Sequence, residues 1–543
     1  MNIQFCGAAK VVTGSNVLIE TRDYKILIDC GMFQGNKELE KKNFEEFPYN
    51  PVDIDYLILS HAHIDHSGRI PKLVKEGFRG KIITTKATYD LCKIMLLDSA
   101  KIQEQDTEWE NRKRQRAGKK PLKPLYTIDE AEVSLKFFET YFYNQTIALN
   151  EDIKLRFRDA GHMLGSAIIE LWLKEKDKFT KIVFSGDLGM PHRPIINNPE
   201  FIDDADYLVI ESTYGDSIHE GVGKSTERLV EIINKTALRG GTVIIPSFAV
   251  GRTQELIYEL NKYYEYNSDI EEYMKIPIYV DSPMAVQATE AFQANSGSFN
   301  EEAKNLIQKG DNPFIFSNLR YIKDQEESMA LNKYEFPKVI ISSSGMATAG
   351  RVRHHLKHNL WNEKNSLVFV GYQAEGTLGR IILNGVQKVK ILGEEVAVNS
   401  KVYSLEGLSG HADQIMLMDW IRKFKTKPKK IFIVHGEEDA SKALSELIEE
   451  EFHIKTIIPN IGDSFTIEKE DIELVEVNEL ESTDIVEDIN IELENIYKQL
   501  QSLNIRKEKL TDPKLVEKDY DNLKNILIEL QHNLMDLNMI IGK

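Results

Sequence analysis

Short apolar runs that stop at a polar residue recur along most of the chain. Seven stand out: Lys25–Asp29, Tyr56–His61, Lys181–Asp187, Tyr207–Glu211, Thr242–Pro246, Lys338–Ser342 and Lys430–His435. Each contains three or four consecutive Ile, Val, Leu or Phe side chains. Continuous runs, unlike alternating ones, predict strands buried on both faces. Helical patterns at 225–239 and 252–264 lie between some of them, so the expected fold class is α/β. In such sheets chemistry gathers at strand ends, where loops present polar groups. Five of the runs end in acid or imidazole: Asp29, His61, Asp187, Glu211 and His435. One such end is ordinary; five predict a shared site.

Two regions break the pattern. Residues 98–150 read as an insertion, helical in pattern and interrupted by the basic run 112–120 followed by Pro121. That run is either a solvated helix end or a contact for a phosphate backbone. Near the C-terminus, Ile489, Leu493, Ile496, Leu500 and Leu503 are spaced four and three apart, and Leu523, Leu527, Leu530, Leu534 and Leu537 nearly repeat the spacing. Asp512-Pro513 separates them, so a pair of amphipathic helices is expected. Their seam closes on itself, on the main body, or on a second subunit as a homodimer.

Composition narrows the function class. The 543 residues include 42% hydrophobic side chains, which suits a folded globular protein rather than a disordered one. No apolar run reaches the length of a membrane span, and the first residues show no export segment. Three cysteines without a Cys-x-x-Cys pair give no disulfide framework, so a cytoplasmic location is expected. The net charge is −18, from 86 acidic and 68 basic side chains. Residues 466–543 hold 19 acidic and 9 basic side chains, a net of −10, leaving −8 for the preceding 465 residues. A polyanion partner therefore needs a local positive site.

The densest chemistry is His61-Ala62-His63-Ile64-Asp65-His66, directly after an apolar run. On extended backbone His61 and His63 point the same way, and a following turn aims Asp65 and His66 at a neighbouring position. Imidazole with some carboxylate suits Zn²⁺, and two ligand sets imply two ions, the usual device for phosphoester hydrolysis. Mn²⁺ is the alternative metal where carboxylates contribute.

This motif resembles the signature of the metallo-β-lactamase superfamily. Asp29, Gly161-His162 and Ser185-Gly186-Asp187-Leu188-Gly189 continue it in the same order. Glu211-Ser212-Thr213-Tyr214-Gly215, Ser409-Gly410-His411-Ala412-Asp413 and Val434-His435-Gly436-Glu437 resemble the hallmarks of its nucleic-acid-processing β-CASP branch. Histidine at position 435 is similar to the RNA-processing members. Within those, the segment from His61 to Pro71 is similar to the endonuclease subunit of the cleavage and polyadenylation specificity factor and its prokaryotic relatives.

The resemblance implies an αββα sandwich from residues 1–208 and 396–465, an inserted α/β β-CASP domain at 209–395, and a helical extension at 466–543. It implies that His61, His63 and His162 hold one zinc, that Asp65, His66 and His435 hold the other, and that Asp187 bridges them. Asp29 would orient the ligand loop. His411, bonded to Glu211, would protonate the leaving oxygen of an RNA phosphodiester attacked by zinc-activated hydroxide. Ser343, Ser344, Gly345, Arg252, Arg351 and Arg380 become candidates for phosphate contact. The expected activity is endonucleolytic. A 5′-to-3′ exoribonuclease of ribonuclease J type and a small-molecule hydrolase of the same fold are the alternatives.

Overall fold

The computed structural model describes residues 1–175, 178–219, 222–266, 275–405, 410–467 and 472–474. Two sheets stack face to face. The first runs in the order Ile472–Leu474, Ser464–Ile467, Asn2–Phe5, Val17–Glu20, Lys25–Ile28, Tyr56–Ile58, Lys81–Thr85, Phe138–Tyr141. The second runs Lys455–Ile457, Lys430–Val434, Tyr207–Glu211, Lys178–Phe184, Ala167–Glu175, Ile153–Asp159, Thr146–Ala148. Between them Ile3, Phe5, Ile26, Ile58 and Ile83 meet Phe157, Ile169, Phe184, Val209 and Phe432 in one buried layer.

The outer faces are apolar too, which is why the strands read as continuous runs. Leu27, Leu57 and Ile82 of the first sheet pack on Leu73, Leu91 and Leu96, from helices Ile70–Lys75 and Lys86–Arg116. Leu208, Ile210 and Ile433 of the second pack on Leu417, Ile421, Leu444 and Ile448, from helices Gln414–Arg422 and Glu438–Phe452. The result is the expected αββα sandwich.

A third sheet, parallel throughout, has the order Leu319–Tyr321, Ile278–Val280, Lys338–Ser342, Thr242–Pro246, Ser366–Phe369, Lys401–Ser404. Helices Val222–Leu238 and Arg252–Tyr266 cover one side of it, and Val352–Asn359 and Leu378–Leu383 cover the other. After this sheet the chain returns to the second one. Lys430–Val434 pairs in parallel with Tyr207–Glu211, matching Glu211 to Val434, so the chemistry at the two strand ends is side by side.

The reading of 98–150 as a helical insertion needs correction. Lys86–Arg116 is one 31-residue helix capped by Thr85, and its first half packs into the core. Phe138–Tyr141 and Thr146–Ala148 then complete the edges of the two stacked sheets. Phe138–Tyr141 is half buried throughout and Thr146–Ala148 is exposed at both ends, so these short strands leave no apolar run to read. Residues 101–124 carry no buried side chain, and the basic run lies in that exposed stretch. The apolar spacings of 489–537 fall outside the described residues, as does Ser409. Among the described residues no helix is long and apolar enough to cross a membrane.

Candidate metal centre

The strand Tyr56–Ile58 runs out of the first sheet into Ser60-His61, and His63 caps the short helix Ile64–Ser67. Extended backbone before the cap and a single turn after it aim the motif's side chains in two directions. His61 Nε2 and His162 Nε2 each lie 3.1 Å from His63 Nδ1. On the other side His66 Nε2 lies 3.1 Å from His435 Nε2, which is 3.6 Å from Asp65 Oδ2.

Asp187 stands between the groups. Its Oδ2 faces His61 at 3.4 Å and His162 at 3.5 Å, while its Oδ1 faces His66 at 3.2 Å and His435 at 3.7 Å. In each of the sets His61/His63/His162/Asp187 and Asp65/His66/His435, the donor atoms lie within 4.8 Å of one another. The donors suit a divalent cation. Oδ1 of Asp187 is buried and faces only imidazole nitrogens, and His63 Nδ1 faces two of them although one ring nitrogen donates or accepts a single hydrogen bond. These clusters form a divalent metal site.

Electrostatics agree with ligation at three of the histidines. Burial pushes His61 below its usual value, His63 down to about 3 and His162 well below, so all three favour the neutral form a metal requires. Burial also disfavours charge on His66, but Asp187 and Asp29 overcome it and raise that imidazole. Burial opposes ionisation of Asp65 and Asp187 as well. The surrounding histidines, His435 foremost, outweigh it and hold both carboxyls below the ordinary range.

Asp29 anchors the loop from behind. Its Oδ2 lies 2.7 Å from His66 Nδ1, and its Oδ1 accepts the Ser60 N–H at 2.8 Å. Ser60 Oγ bonds Asp29 Oδ2 at 2.9 Å and sits 3.0 Å from His61 Nδ1, so one hydroxyl ties the two ligand groups to one carboxylate. Beside the cluster, His411 Nδ1 lies 3.0 Å from Glu211 Oε2. Glu211 Oε1 accepts the Leu188 N–H, and Oε2 also accepts Thr213 Oγ1 at 2.6 Å. Burial lowers His411's basicity, but Glu211 and Asp187 more than offset this and raise it. The backbone holds His411 too, because it bridges Gly189 and the Ala412 N–H donates to Leu188 O.

Family models match three stretches of the chain: the metallo-beta-lactamase superfamily at residues 9–139, the Beta-Casp domain at 253–382, and the Zn-dependent metallo-hydrolase RNA specificity domain at 395–459. A ribonuclease of Thermus thermophilus is 37% identical over 448 residues, covering 82% of this chain and 96% of that protein. The chain belongs to the β-CASP ribonucleases of the metallo-β-lactamase superfamily. An RNase J-like protein of Methanocaldococcus jannaschii is 33% identical, covering 85% of this chain and 98% of the relative. Transcription termination factor FttA of the same organism is 32% identical, covering 84% of this chain and 70% of that factor.

For this β-CASP protein the phosphate candidates divide. Ser343 and Ser344 follow the third-sheet strand Lys338–Ser342 and are half buried, with Ser343 Oγ 2.8 Å from Ser282 Oγ. A Cβ at Gly345 would meet the Phe248 ring at 2.8 Å, and that ring lies 6.3 Å from His63, so this loop comes close to the metal centre. Arg380 is exposed on Leu378–Leu383. Arg351 is already engaged by Asp281 Oδ1 at 2.6 Å, and Arg252 is buried against Glu255. Sequence reading passed over Ser60, Thr213 and Arg193. Only Thr213, inside the hallmark after Glu211, had any signal to find it by.

Proposed function

We propose that this chain hydrolyses RNA phosphodiester bonds with two zinc ions bound per chain. His61, His63 and His162 would hold one ion, Asp65, His66 and His435 the other, with Asp187 shared. The observation that carries this reading is the division of Asp187, whose two oxygens face two separate histidine sets beside the Glu211–His411 pair. When bound, the ions supply Lewis acidity that makes water nucleophilic at neutral pH and neutralises phosphate charge.

The chain's own residues do the rest. Asp29 and Ser60 fix the orientation of His66 and His61, as carboxylate partners of ligating imidazoles commonly do. Glu211 holds His411 by Nδ1 and favours its protonated form, so that His411 delivers a proton to the 3′ oxygen as the P–O3′ bond breaks. Water oxygen ends on phosphorus, giving a 5′-phosphate and a 3′-hydroxyl. Ser343, Ser344, Gly345 and Arg380 would contact the strand's phosphates, whereas Arg252 and Arg351 are already engaged by Glu255 and Asp281.

This reading divides the chain into a metallo-β-lactamase lobe of 1–208 and 396–465, an inserted β-CASP lobe of 209–395, and a tail of 466–543. Pairing of Lys401–Ser404 with the third sheet favours moving the return crossing past 404, and pairing of Ser464–Ile467 and Ile472–Leu474 within the first sheet favours starting the tail after 474. A cytoplasmic location and a homodimer through the tail belong to the same proposal. Two measurements test it. Elemental analysis should find two zinc ions per chain, manganese in their place assigning the other metal. Linear RNA with a blocked 5′ end and circular RNA should both be cut, since circular RNA yields only to an endonuclease; cleavage of free 5′ ends alone would favour the ribonuclease J-type alternative.

A further inference from the structure

Arg193 lies on neither a helix nor a strand, and nothing in its sequence context draws attention to it. Its guanidinium is nevertheless buried, with 5% of the residue exposed. Nη1 donates to two backbone carbonyls at once, His162 O at 2.5 Å and Gly410 O at 2.7 Å. Nη2 pairs with Glu255, on the helix Arg252–Tyr266 beside the third sheet, and Glu255 also takes Arg252. Backbone around Arg193 is tied to the same side, because the Asn300 side chain donates to Arg193 O at 3.2 Å and Ile196 O at 3.1 Å.

The two carbonyls belong to chemically important stretches. His162 is a member of the first ligand set, and Gly410 directly precedes His411. The His162 ring also reaches this junction, with Nδ1 3.1 Å from Gly410 O. One planar cation thus fixes the spacing between a ligand loop and the loop carrying the proton donor, 248 residues apart in sequence. A fork with fixed donor directions can span two carbonyls and a carboxylate, whereas a lysine ammonium cannot reproduce that geometry. Burying a guanidinium is expensive, and a surface arginine would avoid the cost, so the arrangement calls for a reason beyond packing.

We propose that Arg193 is a positioning residue, clamped by Glu255, that sets the distance of His411 from the metal centre and so governs protonation of the leaving oxygen. The proposal rests on the general-acid reading of His411 given above. Its test separates the two. Substrates differ in how much they need a proton donor: the 3′ oxygen of RNA is a poor leaving group, whereas p-nitrophenolate in bis(p-nitrophenyl) phosphate leaves without help.

The full-length zinc-loaded chain, with Arg193→Lys, Glu255→Gln and His411→Ala, is assayed on a short labelled RNA and on the activated diester. Zinc content and melting temperature are measured alongside. Arg193→Lys is expected to lower kcat on RNA about 100-fold, the scale of a misplaced catalytic group, with KM within threefold. Its loss on the activated diester should be at least tenfold smaller, with zinc content retained, and Glu255→Gln should shift the ratio the same way by less. Equal losses on both substrates in Arg193→Lys, while His411→Ala keeps its preference for the activated diester, would overturn the positioning role and leave a purely structural one. Equal losses in His411→Ala would remove the general-acid reading, and the proposal with it.

Discussion

Asp187 lies just beyond the strand Lys178–Phe184 of the second sheet, and Asp281 just beyond Ile278–Val280 of the third; both carboxylates are buried and both face histidine. Their surroundings differ in kind. Asp281 Oδ1 accepts from Arg351, and Oδ2 accepts from Ser328 and lies 2.6 Å from His355 Nε2. The other nitrogen of His355 meets Asn332 Oδ1 at 2.9 Å, so each group in that cluster has a complementary partner. Around Asp187 the nitrogens point at one another instead, and Oδ1 meets only imidazoles. A carboxylate beside a histidine therefore does not by itself mark a metal site. Several histidine nitrogens converging on one carboxylate point to one, because a cation can take all those lone pairs at once whereas each ring nitrogen makes a single hydrogen bond.

Substitution at the two aspartates should give opposite results. Asp187→Ala is expected to lower kcat on RNA on the order of 1000-fold or more, several kcal/mol of lost charge stabilisation. In chelator, where no cation is bound, this variant should lose less stability in urea unfolding than Asp281→Ala, because the histidines stabilise the Asp187 charge but removal of Asp281 strips Arg351 and Ser328 of their partner as well as a histidine. A large loss of stability there would mean that Asp187 works like Asp281. Asp281→Ala should instead cost about 3–5 kcal/mol of stability, the usual penalty for stripping one partner from a buried ionic group. Activity per folded molecule should stay within a few-fold, and a 1000-fold loss would place Asp281 among the reacting groups.

Metal removal probes the same contrast more gently. Adding zinc to chelated wild type should raise the melting temperature by the equivalent of about 2.7 kcal/mol when free metal is a hundredfold above Kd. Asp281→Ala should keep that shift and Asp187→Ala should lose most of it; equal shifts in both would dissolve the distinction.

The smallest effect concerns pH. Burial disfavours the Asp281 anion, but bonds from His355, Ser328 and Arg351 outweigh it and hold the carboxyl below its ordinary 3.8. The folded state then binds its proton less readily than the unfolded state. Stability from this group is complete above about pH 3.8 and is lost as pH falls through the lower folded value. The stability gap between wild type and Asp281→Asn should stay flat from about pH 5 to 8 and narrow only in stronger acid. Narrowing near neutrality would assign the interaction to His355 instead.

Much of the sandwich was legible because strands buried on both faces leave unbroken Ile/Val/Leu runs, and their polar ends stand out. The metal donors were legible for a related reason: His61, His63, Asp65 and His66 crowd into six residues. Asp281 was not. It follows a three-residue strand, and its partners Ser328, Arg351 and His355 lie 47, 70 and 74 residues away. Arg351 was legible only as a cation, and a cation's partner is set by tertiary packing. Phe138–Tyr141 and Thr146–Ala148 were missed because edge strands need not be continuously apolar.

The histidines of the proposed ligand sets are distributed very unevenly in time as well as in sequence. His435 follows His66 by 369 residues, and it reaches the site only when its strand slots beside Tyr207–Glu211. At about 5–20 residues per second of synthesis, the first donors wait roughly 20–70 s for the last. During that interval the growing polypeptide trails along the message that encodes it, carrying His61, His63 and His66 but neither His411 nor His435. Premature termination anywhere in the third sheet has the same result. On the proposed ligand sets, neither the second metal site nor the proton donor is complete until translation is nearly done.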